Sequence, residues 1–202
     1  RLLEGQGQSY PAKEEYQKTL MLDAKFVPAY NNLGKIYAEE KKSKEAFIQY
    51  QKALEIEPNY YEANLNLGNL YYNYGRWVLA VAQFKKLIEL RPNAEIPYLN
   101  LGNVYSQMKN FGDAESYYRQ AIAQNSRFAP AYYGLGNLYL GQQMYPKAAE
   151  FYKQATAFNP GYMDAYNSLG IAYAESGNLH EAEICFKKVI ELKPDYALAY
   201  LN

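Results

Sequence analysis

At 202 residues and 49% hydrophobic composition the chain can bury enough apolar surface to fold, and its 21 basic and 21 acidic residues cancel. That balance excludes the broad basic field on which nucleic-acid binding depends; the densest cationic cluster, Lys41 to Lys44, is flanked by Glu39, Glu40 and Glu45 and reads as a solvated turn. The lone cysteine, Cys185, excludes an intrachain disulfide and fits a reducing compartment, and no apolar run approaches the roughly 18 residues of a membrane helix. No secretory leader is visible, so the expected location is cytoplasmic, although a chain that opens on Arg1 is expected to lack its native start.

The sequence repeats itself. Written in rows of 34 from Val27, it aligns without insertion or deletion as 27–60, 61–94, 95–128, 129–162 and 163–196. Residues 1–26 correspond to positions 9 to 34 of such a row, with Gly7, Ala12 and Tyr16 in register, and residues 197–202 to the start of another. Position 7 of each full row is leucine and position 8 is glycine (Gly34, Gly68, Gly102, Gly136, Gly170). Position 11 is tyrosine (Tyr37, Tyr71, Tyr105, Tyr139, Tyr173) and position 20 is alanine (Ala46, Ala80, Ala114, Ala148, Ala182). Position 24 is aromatic (Tyr50, Phe84, Tyr118, Tyr152, Phe186). Pro58, Pro92, Pro160 and Pro194 stand near row ends.

Within a row, positions 4, 7, 8 and 11 share one face of a first helix, and 20, 24, 27 and 28 one face of a second. The small residues at 8 and 20 let the two helices approach, and the aromatic side chains at 4, 11 and 24 fill the space around that contact. A turn near positions 15 to 17 joins them, with Gly75 and Gly177 suited to a helix C-terminus. Pro11 and Pro146 suit the first turn of the second helix, where a missing N–H costs little, and Ser43 is a candidate cap. Proline at position 32 ends the second helix. Solenoids end in polar capping elements; none is found, so the chain is expected to be a piece of a longer array.

This pattern, seen compactly in "NLGNLYYNYG" (66–75) followed by Ala80, Phe84 and Pro92, resembles the tetratricopeptide repeat family over essentially the whole chain. The departures are few: Asn64 stands for the aromatic at position 4, Ala24 and Ser126 for proline at 32, and Lys41, Lys109 and Gln143 for glycine at 15. The resemblance implies an all-α, right-handed superhelical solenoid of antiparallel helix pairs whose concave wall is a second stripe of the first helices.

On that stripe the candidate peptide-binding residues are Asn32, Lys35, Asn66, Asn69, Tyr72, Asn100, Asn103, Tyr133 and Asn137. Asparagine costs about 0.5 kcal/mol against alanine within a helix, so its recurrence asks for a reason. Side-chain amides offer both donors and an acceptor, which suits an extended peptide backbone, and the ladder is similar to that of O-GlcNAc transferase arrays. Two structural alternatives stand beside it: the amides bond between neighbouring helices, and the wall tyrosines pack on one another. The family's two-carboxylate clamp is not matched, since position 5 never holds lysine and position 6 never arginine.

No catalytic constellation emerges. His180 and Cys185 diverge by about 140° on a helix, leaving an exposed histidine and a packing cysteine. "GLGNLYLG" (134–141) carries its glycines at packing positions, not in a phosphate loop. Trp77 is expected to pack over its turn. No metal or cofactor is expected. The expected function is a non-enzymatic scaffold for a protein or peptide partner; the alternatives are the substrate-recruiting arm of a larger glycosyltransferase-like enzyme and a self-assembling scaffold.

Overall fold

The computed structural model describes residues 6–194, with side chains from residue 12. Among the described residues there are eleven α-helices and no strand. They fall into two compact units divided after Pro92. The first contains α1 (Gln6–Leu22), α2 (Val27–Glu39), α3 (Ser43–Ile56), α4 (Tyr61–Asn73) and α5 (Trp77–Leu90). The second contains α6 (Glu95–Gln107), α7 (Phe111–Gln124), α8 (Ala129–Leu140), α9 (Tyr145–Phe158), α10 (Met163–Glu175) and α11 (Leu179–Leu192). In each unit the helices pair as hairpins in sequence order and each packs on the next. First helices also touch first helices, α2 on α4 and α6 on α8 on α10, so they lie along one side of their unit. The architecture is an all-α solenoid of stacked hairpins. The expected start of a further repeat at 197–202 lies outside the described residues.

The core explains the invariant positions. An added Cβ at each position-8 glycine would meet the position-24 ring of the same row, at 2.5 Å for Gly102 against Tyr118 and 2.6 Å for Gly68 against Phe84. Glycine is thus required by close approach, not by backbone conformation. Ala46, Ala80, Ala114 and Ala148 are fully buried beside this contact. Tyr118 is gripped from both sides, because Gly134 of the next first helix also abuts its ring, at 2.6 Å from an added Cβ.

The hairpin turn has one geometry in all five rows. Position 15 adopts positive φ: Lys41 60°, Gly75 66°, Lys109 59°, Gln143 59° and Gly177 81°. The next residue's N–H reaches back to the carbonyl of the position-11 tyrosine, as in Lys42 to Tyr37 at 2.8 Å and Asn110 to Tyr105 at 2.9 Å. This satisfies a carbonyl that the helix end would otherwise orphan. Lys41, Lys109 and Gln143 therefore do not reshape their turns; they adopt the left-handed conformation despite its cost of about 1–2 kcal/mol for a residue with a Cβ. All three are exposed. Replacing them together by glycine is expected to raise stability by about 2 kcal/mol, after allowing for the extra chain entropy of three glycines. A higher urea midpoint with unchanged slope would show it; an unchanged midpoint would mean that the left-handed cost is not being met at these sites.

Other expectations are adjusted. Ser43 is the first residue of α3 and not its cap; Lys42 holds that place and makes no side-chain cap bond. Asn110 does cap α7, accepting from the Asp113 N–H. Pro146 lies in the first turn of α9, but α1 begins at Gln6, so Pro11 falls beyond its first turn. Second helices end at position 30 with or without proline two residues on, as α7 does at Gln124 before Ser126.

Asn64 has a clear role. Tyr30 and Tyr132 at position 4 donate their hydroxyls to the position-32 carbonyls of Ala24 and Ser126. Fully buried Asn64 makes the equivalent bond with its amide, donating to Pro58 O at 3.1 Å and also to Tyr60 O at 2.8 Å. The shorter side chain keeps the link between preceding loop and first helix.

Candidate functional site

The candidate residues occupy the first helices, on the side left open by the position-8 contact. In the first unit, Lys35 and Asn69 are exposed, and Asn32, Asn66 and Tyr72 are half-buried. Asn66 Nδ2 donates to Asn31 Oδ1 at 2.8 Å, and Asn31 Nδ2 lies 3.5 Å from Asn32 Oδ1. A relay of three amides thus ties α4 to α2. Asn31, buried at 5% exposure, is its middle member. With its Nδ2 engaged, Asn66 has a carbonyl oxygen to offer.

In the second unit, Asn100, Asn103 and Tyr133 are half-buried and Asn137 is exposed. Here the partner is a tyrosine from the second helix of the same row. Tyr118 donates its hydroxyl to Asn103 Oδ1 at 2.8 Å, and Tyr152 donates to Asn137 Oδ1 at 2.7 Å. Burial, with Tyr133 nearby, pushes the Tyr152 phenol well above its ordinary value. It stays protonated, and its O–H is the donor to Asn137. With Oδ1 accepting from the hydroxyl, Asn103 and Asn137 present their NH₂ donors outward. Tyr118 and Tyr152 are the residues that spacing arguments missed. The signal was present, since a tyrosine at position 24 accompanies asparagine at position 9 in these two rows.

Tyr133 is drawn into an aromatic cluster, its ring centroid 5.7 Å from that of Tyr152 and 5.0 Å from that of Tyr162. Burial raises the Tyr162 phenol to about 12. Trp77, the first residue of α5, is half-buried. His180 is exposed and Cys185 buried, as their spacing predicts; burial raises the thiol to about 11, which leaves it little thiolate. Among the described residues, no three His, Cys, Asp or Glu side chains group as metal ligands, and no helix is long and apolar enough to cross a membrane.

Tetratricopeptide repeat patterns match residues 27–60 and 164–196, 99–162, and 49–82. In solved structures the chain is similar to MamA, with 31% identity over 85% of this chain and 94% of that one and a TM-score of 0.65. The chain belongs to the tetratricopeptide repeat family. A second similar structure is that of PilW, a widely conserved type IV pilus biogenesis factor, at 23% identity over 97% of this chain and 91% of that one with a TM-score of 0.85. A third is YrrB, described as a tetratricopeptide protein with an unusual peptide-binding site, at 23% identity, 94% and 97% coverage and a TM-score of 0.61. No protein of curated function matches the chain in sequence. Tetratricopeptide arrays are protein-interaction scaffolds, and this chain is a scaffold of that kind.

Proposed function

We propose that the chain binds an extended segment of a partner protein along its first-helix face, with Asn103 and Asn137 donating to carbonyl oxygens of that segment. The observation that carries this reading is the pair of tyrosine hydroxyls on the asparagine oxygens. Two such amides one row apart, each held by a tyrosine, form a row of donors matched to a peptide's acceptors. Asn100 and Tyr133 flank them, and Asn32, Lys35, Asn66, Asn69 and Tyr72 line the corresponding face of the first unit. Rows 27–60, 61–94, 95–128, 129–162 and 163–196 are the repeating units that supply this face. A peptide-binding site in the structurally similar YrrB is in keeping with the reading.

The test is affinity capture from lysate with the wild-type chain and an Asn103→Ala/Asn137→Ala variant of matched helicity and melting temperature, with crosslinks mapped by mass spectrometry. Each lost hydrogen bond weakens binding by about 1 kcal/mol, so the pair should cost about thirtyfold in affinity. Captured segments should crosslink to α6 and α8 in the wild type and disappear with the variant. Equal capture by both chains would remove the asparagine row from consideration.

A further inference from the structure

A different surface of the first unit carries a second site. A cleft of about 510 Å³ opens between α3 and α4 beside the turn into α5. Its floor is Phe47, packed edge-on against Tyr71 with ring centroids 6.1 Å apart. Its walls are Ile48 and Tyr74, 46% and 56% exposed, and its rim carries Lys44 and Arg76. These side chains arise from the second helix of one row and the end of the first helix of the next, a different side from the asparagine stripe.

The repeat supplies its own control. The matching cleft in the second unit, between α9 and α10, has a similar volume of about 530 Å³. There the positions of Phe47, Ile48 and Tyr74 hold Ala149, Glu150 and Ser176. Backbone geometry therefore makes the cleft, and side-chain choice makes the first one apolar. Nothing in folding requires a half-exposed isoleucine and tyrosine where another row is content with glutamate and serine. Large apolar side chains gathered in an open recess are the usual mark of an interaction site.

The charges say which occupant fits. No carboxylate lines the cleft, and among the described residues neither Lys44 nor Arg76 forms an ion pair. We propose that this cleft docks a short segment of a partner protein in which bulky aliphatic or aromatic side chains are flanked by carboxylates. The apolar side chains fill the space over Phe47 between Ile48 and Tyr74, and the carboxylates reach Lys44 and Arg76. A second copy of the chain fits less well, because two-fold pairing of this patch would set like charges against each other. A membrane surface also fits poorly, since the apolar side chains line a recess and do not protrude.

The test is selection of a random dodecapeptide display library on the whole chain, counter-selected on an Ile48→Lys chain. Both must first show the same circular dichroism; half-exposed Ile48 tolerates the change. Enriched peptides should carry Asp or Glu next to Leu, Ile, Phe or Trp. A synthetic copy should bind by fluorescence anisotropy and lose about tenfold or more in affinity to Ile48→Lys and to Tyr74→Ser, a loss equivalent to 1.4 kcal/mol. Arg76→Glu should weaken the same peptide, and replacing its carboxylates with lysine should restore binding to that variant. The proposal is overturned by a library with no enrichment, by peptides without acidic residues, or by affinities that ignore these substitutions. Peptides lost instead to Asn103→Ala/Asn137→Ala would belong to the first-helix face. Self-association in sedimentation, or cosedimentation with phosphatidylserine vesicles, that is abolished by Ile48→Lys would overturn it too, by giving the cleft to a second copy or a membrane.

Discussion

Gly136→Val is expected to destabilise the chain by about 3 kcal/mol, at the upper end of overpacking costs. An added Cβ there would stand 2.5 Å from Cδ1 of Tyr152 and within 2.9 Å of Cζ. The ring has nowhere to retreat: Tyr152 is fully buried, Tyr133 lies beside it, and its hydroxyl is tied to Asn137. Valine's better helix propensity returns only a few tenths of a kcal/mol, so the clash decides the sign. Gly112 gives the opposite expectation. It lies in the first turn of α7 with nothing within 4 Å of an added Cβ, so Gly112→Ala should stabilise by about 0.5–1 kcal/mol through the unfolded chain. Urea unfolding of both variants checks the pair. Equal shifts for the two would show that helix propensity, and not the glycine-to-ring approach, governs these positions.

The contrast between Gly136 and Gly112 also shows what could be read from the chain before its structure. Recurrence at a fixed 34-residue interval marked Gly136 as a packing glycine, because only a tertiary contact keeps one position small in row after row. Helix faces, hairpin order and the turn at position 15 followed from the same recurrence. Features that break the pattern were harder to read. Lys41, Lys109 and Gln143 stood out as departures from glycine, yet the hydrogen bond to the position-11 carbonyl imposes left-handed φ on whatever side chain is there. Asn64 looked like a lost aromatic, yet an amide reaches the carbonyl that a phenol serves in other rows. At the candidate site the asparagines were visible as a stripe, but the direction of their amides was not. It depends on groups fifteen residues away on another helix, Tyr118 and Tyr152, and on Asn31 in the first unit. The cleft over Phe47 escaped notice because helical periodicity is read within single helices and this recess is shared between two.

Tyr152→Ala is expected to cost about 4 kcal/mol, the usual price of removing a fully buried aromatic ring. The ring contacts Gly136 of its own row and Tyr133 of α8, so the void opens where α8 and α9 meet. Because a solenoid transmits strain mainly to neighbouring repeats, hydrogen exchange should quicken through α8 to α10 more than elsewhere. Combined with Gly136→Val, the loss should be clearly less than the sum, since the valine then faces the space the ring has left. Strict additivity would mean that the two residues do not oppose each other in solution. Tyr152→Phe separates the ring from its hydroxyl. Phe84 and Phe186 fill this position in other rows, so the packing survives and stability should fall only by about 1 kcal/mol, the worth of one hydrogen bond. Exposed Asn137 then regains water on its oxygen and its amide is free to turn. If the outward donors grip a partner, Tyr118→Phe/Tyr152→Phe should lower affinity severalfold in a chain that still melts as a cooperative fold. Unchanged affinity would mean that the tyrosines hold the asparagines for the sake of the fold alone.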